Sequence, residues 1–236
     1  MIKINNLTKK FGKLLAVDNV SFCVEENECF ALLGLNGAGK TTLINMLSTE
    51  LTPTSGTCEL CGFDLIKQKN EIRKIINISP QESACAKNLT VRENLELIAN
   101  LYDTENKKDK IDKIILEFGL KEKENTLCKK LSGGQKRRLS IALAILTSPK
   151  ILFLDEPTLG LDVKARKKLW QIIENLKKQM TIILTTHYLE EVENLADKIG
   201  IISKGKIKAI GNLNEIKKSC GASTLEEAFL NLTEEE

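Results

Sequence analysis

No apolar run in the 236-residue sequence approaches the ~18 residues that a membrane-spanning helix requires, so the chain is not expected to cross a bilayer by itself. Its opening, MIKINNLTKKFG, lacks the charged-then-apolar layout of a signal peptide, and a cytoplasmic location is the expectation. Aromatic residues are scarce at 4%, too few for the row of stacking rings that single-strand nucleic-acid binders present. Neither sign of charge dominates. Lys+Arg number 35 against Asp+Glu 32, a formal net charge of +3 spread along the chain, so nothing calls for a nucleic-acid partner. The seven cysteines are odd in number and scattered, which fits reduced thiols. Cys58 and Cys61 form one CxxC, but a single pair with no second pair and no His at ligand spacing does not make a zinc site.

What is present alternates in period. Short or alternating apolar runs at Ile2 to Leu7, Ala16 to Val24 and Cys29 to Leu33 read as strands, and the last leads into a glycine-rich turn. A helix is expected from Lys40, with Leu43, Met46 and Leu47 inward. Gly56 to Gly62 and Ile75 to Ile78 read as further strands, so the first 80 or so residues are β with one inserted helix. Helical periods follow: Val91, Leu95, Ile98 and Tyr102 share a face behind a Thr90/Glu93 capping box, a charged helix spans about Lys107 to Phe118, and a third helix begins after Ser132. The lysines of the charged helix read as a solvated face. From Ile151 strands and helices alternate again, which implies a parallel sheet covered by helices. A hairpin is expected around Gly205, and beyond Gly211 a helical tail ends in Glu234, Glu235 and Glu236, expected to fray. One domain results: a core from 1–81 and 149–210, a helical part at 82–148, and a tail at 211–236.

Two motifs carry chemistry. Gly34-Leu35-Asn36-Gly37-Ala38-Gly39-Lys40-Thr41, with Thr42 beside it, fits G-x-x-x-x-G-K-[ST] between a strand and a helix. Glycines let the backbone wrap phosphates with its N–H groups inward, and the helix that follows offers its positive end. Lys40 is placed to meet the β- and γ-phosphates, and Thr41 to give its hydroxyl to Mg²⁺. The second motif is Ile151 to Glu156, an apolar strand that delivers two carboxylates to a sheet edge, where ligands collect in α/β folds. Asp155 then suits the Mg²⁺ shell and Glu156 a general base that polarises water. Kinases, GTPases and helicases share these features, so they establish a P-loop nucleotide-binding protein and no more.

Leu131-Ser132-Gly133-Gly134-Gln135 narrows the class. Ser132 and the free N–H groups of Gly133 and Gly134 open a helix, so hydroxyl, amides and dipole can converge on a γ-phosphate. With both motifs in view, the chain resembles an ABC transporter ATPase over roughly residues 2 to 232. The resemblance implies an α/β P-loop core with an antiparallel β part and an inserted helical signature part. Phe11 matches the ring that stacks on adenine. Gln81 matches the glutamine that senses Mg²⁺ and water, Asp162 the loop that touches an opposite subunit, and His187 the histidine at the γ-phosphate. Leu35 stands where many relatives have Pro, in the variable part of the loop.

The same resemblance implies ATP and Mg²⁺ as cofactors, and a dimer with itself or a related ATPase in which the signature of one subunit covers the P-loop of the other. It also implies an integral membrane permease as partner and a position on the inner face of the membrane. About ninety residues separate Lys40 from Leu131, too few for a long coiled-coil insertion, and only one cassette is present. The segments Thr224 to Thr233 and Thr185 to Glu191 resemble stand-alone ATPases of drug, antibiotic and bacteriocin exporters. A soluble regulatory or ribosome-associated ATPase is the alternative.

Overall fold

Polar and apolar residues alternate along the first 24 positions, and the computed structural model folds them into a long antiparallel hairpin of β1 (Ile2–Phe11) and β2 (Leu14–Val24). The structure describes residues 1–82 and 84–233, so the acidic end at Glu234, Glu235 and Glu236 lies outside the described residues. Ile2, Ile4 and Leu7 are buried while Lys3 and Asn5 are exposed, the period-two pattern of a sheet with one wet face. β4 (Ser55–Leu60) and the short β5 (Phe63–Asp64) complete an antiparallel sheet in the order β2-β1-β4-β5.

The second sheet contains β3 (Cys29–Leu33), β6 (Ile76–Ser79), β7 (Ile151–Asp155), β8 (Thr181–Thr186), β9 (Lys198–Ser203) and β10 (Lys206–Gly211), in the order β10-β9-β3-β8-β7-β6. Neighbours are parallel except for the β9–β10 hairpin. Every residue of β3, β7 and β8 is buried, so these runs do not alternate, and their polar members are Asp155 and the three threonines of β8. Alternate residues feed two cores. Phe30, Leu32, Phe153 and Ile183 face the antiparallel sheet and α1 (Lys40–Leu47), whereas Ala31, Leu33, Leu154 and Leu184 face helices on the other side. Phe22 of β2 stacks on Phe30 with ring centroids 4.6 Å apart, joining the two sheets directly behind the strand that feeds the glycine loop.

Helices α3 (Val91–Leu101), α4 (Lys107–Glu117) and α5 (Gly133–Ile145) bury Val91, Leu95, Ile114, Ile115, Leu139 and Ala142 in the second core. The capping box of α3 is formed: Thr90 Oγ1 accepts from the Glu93 amide at 3.2 Å, and the Glu93 carboxylate accepts from the Thr90 amide at 2.7 Å. Thr90→Ala is expected to lower stability by about 1 kcal/mol. Urea unfolding followed by circular dichroism should show a lower midpoint at unchanged slope; an unmoved midpoint would mean that the cap contributes nothing. α6 (Val163–Leu176) and α7 (Leu189–Leu195) cover the parallel sheet, and α8 (Leu213–Ser219) and α9 (Leu225–Thr233) form the helical tail.

Three details differ from the sequence expectation. A second helix, α2 (Lys69–Ile75), lies within the first 80 residues; its only buried residue is Ile72, with Ile75 half-buried at its end, too short a pattern to show a period. The strand expected from Ile75 therefore starts at Ile76. Tyr102 is 62% exposed instead of facing inward with Val91 and Leu95, because α3 ends at Leu101 and Tyr102 turns out of helical geometry. On the charged helix, Lys108 and Lys113 are exposed as expected, but Lys110 docks on Ser148 with Nζ 2.8 Å from Oγ. Among the described residues no helix is long and apolar enough to cross a membrane.

Candidate active site

β3 ends at Leu33, and the chain loops through residues 34–39 before α1 starts at Lys40. Gly39 is in the left-handed region at φ +103°, and a Cβ there would lie 2.4 Å from the Ala16 carbonyl oxygen. Gly34 is equally confined: a Cβ would meet the Ile202 carbonyl oxygen at 2.5 Å. Glycine is thus required at both points, since the loop is pressed between β2 and β9. The β9–β10 turn props it from beside, with the Gly205 amide donating to the Ala38 carbonyl at 3.0 Å.

Beside this loop lies a cleft of about 590 Å³ that reaches Phe11, Asn36, Gly37, Gly39, Lys40, Thr41, Thr42, Gln81, Glu156 and His187. That volume is within the range for small-molecule sites. The sheet order explains the gathering. β3, β7 and β8 are adjacent and parallel, so their C-terminal ends deliver the glycine loop, the carboxylate pair and the histidine to one edge. Phe11 stands at the cleft 45% exposed, with Lys9 Nζ 5.1 Å from its ring centroid. Gly34 and Ala38 are buried behind the loop.

Lys40 is 6% exposed, and its ammonium has three partners: the Gly34 carbonyl at 2.7 Å, the Leu35 carbonyl at 3.2 Å and Glu156 Oε1 at 3.2 Å. His187 Nδ1 lies 2.9 Å from Glu156 Oε2. The two contacts to Glu156 are close approaches of polar groups and not aligned hydrogen bonds. Glu156 itself holds φ +46°, a strained value for a residue with a Cβ. Its amide is fixed by the Thr185 carbonyl at 3.1 Å and the Thr185 hydroxyl at 3.2 Å. Asp155 accepts from Thr185 Oγ1 and, at 3.3 Å, from Thr41 Oγ1. Hydroxyl and carboxylate oxygens converging this way suit Mg²⁺, which is commonly held by one or two carboxylates and substrate phosphates.

Ser132, Gly133, Gly134, Gln135 and Asp162 do not border the cleft. Ser132 and Gly133 are exposed at the start of α5, where Ser132 Oγ accepts from the Gln135 amide at 3.3 Å and the Gln135 side chain accepts from the Ser132 amide at 2.9 Å. Asp162 caps α6 by accepting from the Ala165 amide at 2.8 Å. The sequence-predicted residues therefore form two groups, one in and directly behind the cleft and the other at the exposed starts of α5 and α6.

Two buried charged residues escape sequence reasoning. Arg137 donates to the carbonyls of Pro80, Gln81, Asp155 and Pro157, and burial pulls its guanidinium down to about 10. It ties the ends of β6 and β7 to α5. Glu191, fully buried on α7, is pushed up to about 6 by desolvation. The one local signal is their phase: Arg137 lies three and four residues before the buried Ser140 and Ile141, and Glu191 four before Leu195, but a charged side chain in phase with a buried face does not by itself reveal burial.

Comparison with known proteins decides the family. The family model described as ABC transporter matches residues 17–159. This chain belongs to the ABC transporter ATPases. It is 37% identical over 227 residues to the daunorubicin/doxorubicin resistance ATP-binding protein DrrA of Streptomyces peucetius, covering 95% of this chain and 69% of that protein. It spans only 14% of some longer curated relatives. Among solved structures, an ATP-binding subunit of an ABC transporter aligns with TM-score 0.88 at 29% identity, over 98% of this chain and 99% of that one. A dimeric, post-hydrolysis ATP-binding cassette bound to ADP and Pi aligns with TM-score 0.80 at 27% identity, over 90% and 99%. The fold is thus the P-loop core with an antiparallel sheet, and the ABC protein described here is an ATP-binding, ATP-hydrolysing enzyme.

Proposed function

We propose that this ABC ATPase powers export of a drug, antibiotic or peptide through a separate membrane subunit, by ATP-driven head-to-tail dimerisation at the inner face of the membrane. The observation that supports it most is the separation of the two groups of site residues. Phosphate ligands lie in the cleft, while Ser132 and Gly133 are exposed at the start of α5 and, among the described residues, the Ser132 hydroxyl meets only the cap amide of Gln135. A second copy, or a related ATPase, supplies that surface to the cleft. Similarity to a resistance ATP-binding protein over most of this chain supports the export reading.

Within the cleft, the chain's residues divide the work. Phe11 stacks on the adenine; the amides of residues 36–42 and Lys40 grip the phosphates. Thr41, Asp155 and Gln81 hold Mg²⁺, which when bound neutralises phosphate charge. Glu156 takes the proton of the attacking water, and His187 orients that carboxylate and meets the γ-phosphate. Asp162 touches the opposite subunit. Residues 82–148 form the helical unit that carries Ser132, Gly133, Gly134 and Gln135 to the other subunit's nucleotide.

Ser132→Arg, placed in the hydrolysis-deficient Glu156→Gln background, tests the shared site. ATP and Mg²⁺ should bind each separate chain with near-normal affinity, yet the ATP-dependent dimer should vanish in gel filtration. A variant that still dimerises would remove the role given to Ser132.

A further inference from the structure

Glu191 is fully buried, and among the described residues neither of its carboxylate oxygens has an aligned hydrogen-bond partner. Desolvating a carboxylate without fixed partners is unfavourable, so the position calls for a reason. Its neighbours supply one. The side chain lies against Thr158, Thr186 and the indole of Trp170 on α6. Among the described residues the Thr158 hydroxyl and the Trp170 Nε1 are likewise buried with no aligned partner. Thr158 is two residues past Glu156, in a turn closed by the Leu159 amide donating to the Glu156 carbonyl at 3.2 Å. Thr186 immediately precedes His187. One buried carboxylate therefore touches both segments that hold the Glu156–His187 contact at 2.9 Å.

We infer that Glu191 is a positioning residue for hydrolysis: it braces the turn after Glu156 and the end of β8 through Thr158 and Thr186, and needs its negative charge to do so. This rests on the assignment of Glu156 as the base. An ionised carboxylate only accepts, and the three groups around it, two hydroxyls and an indole N–H, can all donate. A neutral side chain of the same shape satisfies fewer of them. The strained φ of Glu156 makes such bracing necessary, because an unfavoured backbone conformation persists only where its surroundings fix it.

The charged groups around Glu191 set how it titrates. Burial is the main cause of its raised value near 6, and Glu156 adds repulsion from the β7 end. Arg137 on α5 opposes both carboxylates, and burial also keeps the Cys29 thiol of β3 protonated. Arg166 on α6 is engaged by Glu190, and His187 by Glu156. Between the reference value of 4.5 and about 6, the folded chain keeps a proton that the unfolded chain has lost, so stability falls as pH rises through that window. Charge at this position favours the reaction and disfavours the fold.

Glu191→Gln separates the two effects. At pH 7.5 its kcat should fall about tenfold, the scale of a sub-ångström misplacement at a reacting group, with KM for ATP within about twofold. Wild type should lose rate as pH falls through about 6, and the variant should lack that acid limb, so the two proteins converge below it. The melting temperature of the variant should exceed that of wild type by a few degrees above pH 6 and not below pH 4.5. A rate and melting temperature that fall together, with the acid limb intact, would overturn the inference, as would a variant with wild-type rate at pH 7.5. Glu156→Gln run beside it guards the premise: if that variant hydrolyses normally while Glu191→Gln is slow, the base has been misassigned and the bracing has not been disproved.

Discussion

Glu156→Gln is expected to slow ATP turnover by about a hundredfold or more, the lower end of what a positioned general base contributes. The substitution keeps the shape of the side chain, so the contacts with Lys40 and His187 keep an oxygen or nitrogen in place while the proton acceptor is lost. ATP binding should survive. Because the γ-phosphate then persists between two chains, the variant should elute as a dimer in saturating ATP and Mg²⁺ and as a monomer in ADP. A protein that stays monomeric in ATP would show that the nucleotide is not shared between subunits. Normal turnover would instead remove Glu156 from the reaction.

Lys40→Ala should be more severe, because it acts on binding as well as chemistry. The ammonium is fixed by two carbonyls of the loop that it helps to shape, and it faces Glu156 at a depth where little water reaches. Removing it takes a cation from the phosphates and leaves the Glu156 carboxylate with His187 alone. ATP affinity should drop about a hundredfold, the ~3 kcal/mol that a charge-assisted hydrogen bond contributes, and turnover should reach background. Fluorescence titration with a labelled ATP analogue and a phosphate-release assay measure the two. Retained affinity would mean that the loop amides alone hold the phosphates.

Much of the molecule was legible because its chemistry is written in consecutive residues. The glycine loop, the Ile151–Glu156 strand and the Ser132–Gln135 helix start each declare structure and a candidate site within a few positions, and alternation along β1 and β2 gave their faces. What could not be read either lacks a local period or depends on residues far apart in the chain. α2 has one buried residue, and β5 exists only as a two-residue pairing with β4, so neither carries a period. Arg137 sits in Lys136-Arg137-Arg138, which reads as a solvated run, and its burial follows only from carbonyls that β6 and β7 bring to it. Glu191 follows Glu190 in what reads as a helix's acidic first turn. Its desolvation depends on Trp170 and on the turn after Glu156, neither of which local sequence reveals.

The guanidinium of Arg137 makes one more property unavoidable. It clasps four carbonyls at the ends of two neighbouring strands, and it sits five residues along the same helix from Ser132, roughly 8 Å of axial rise. One buried guanidinium thus joins the helix start at Ser132 to the ends of β6 and β7 within two helical turns.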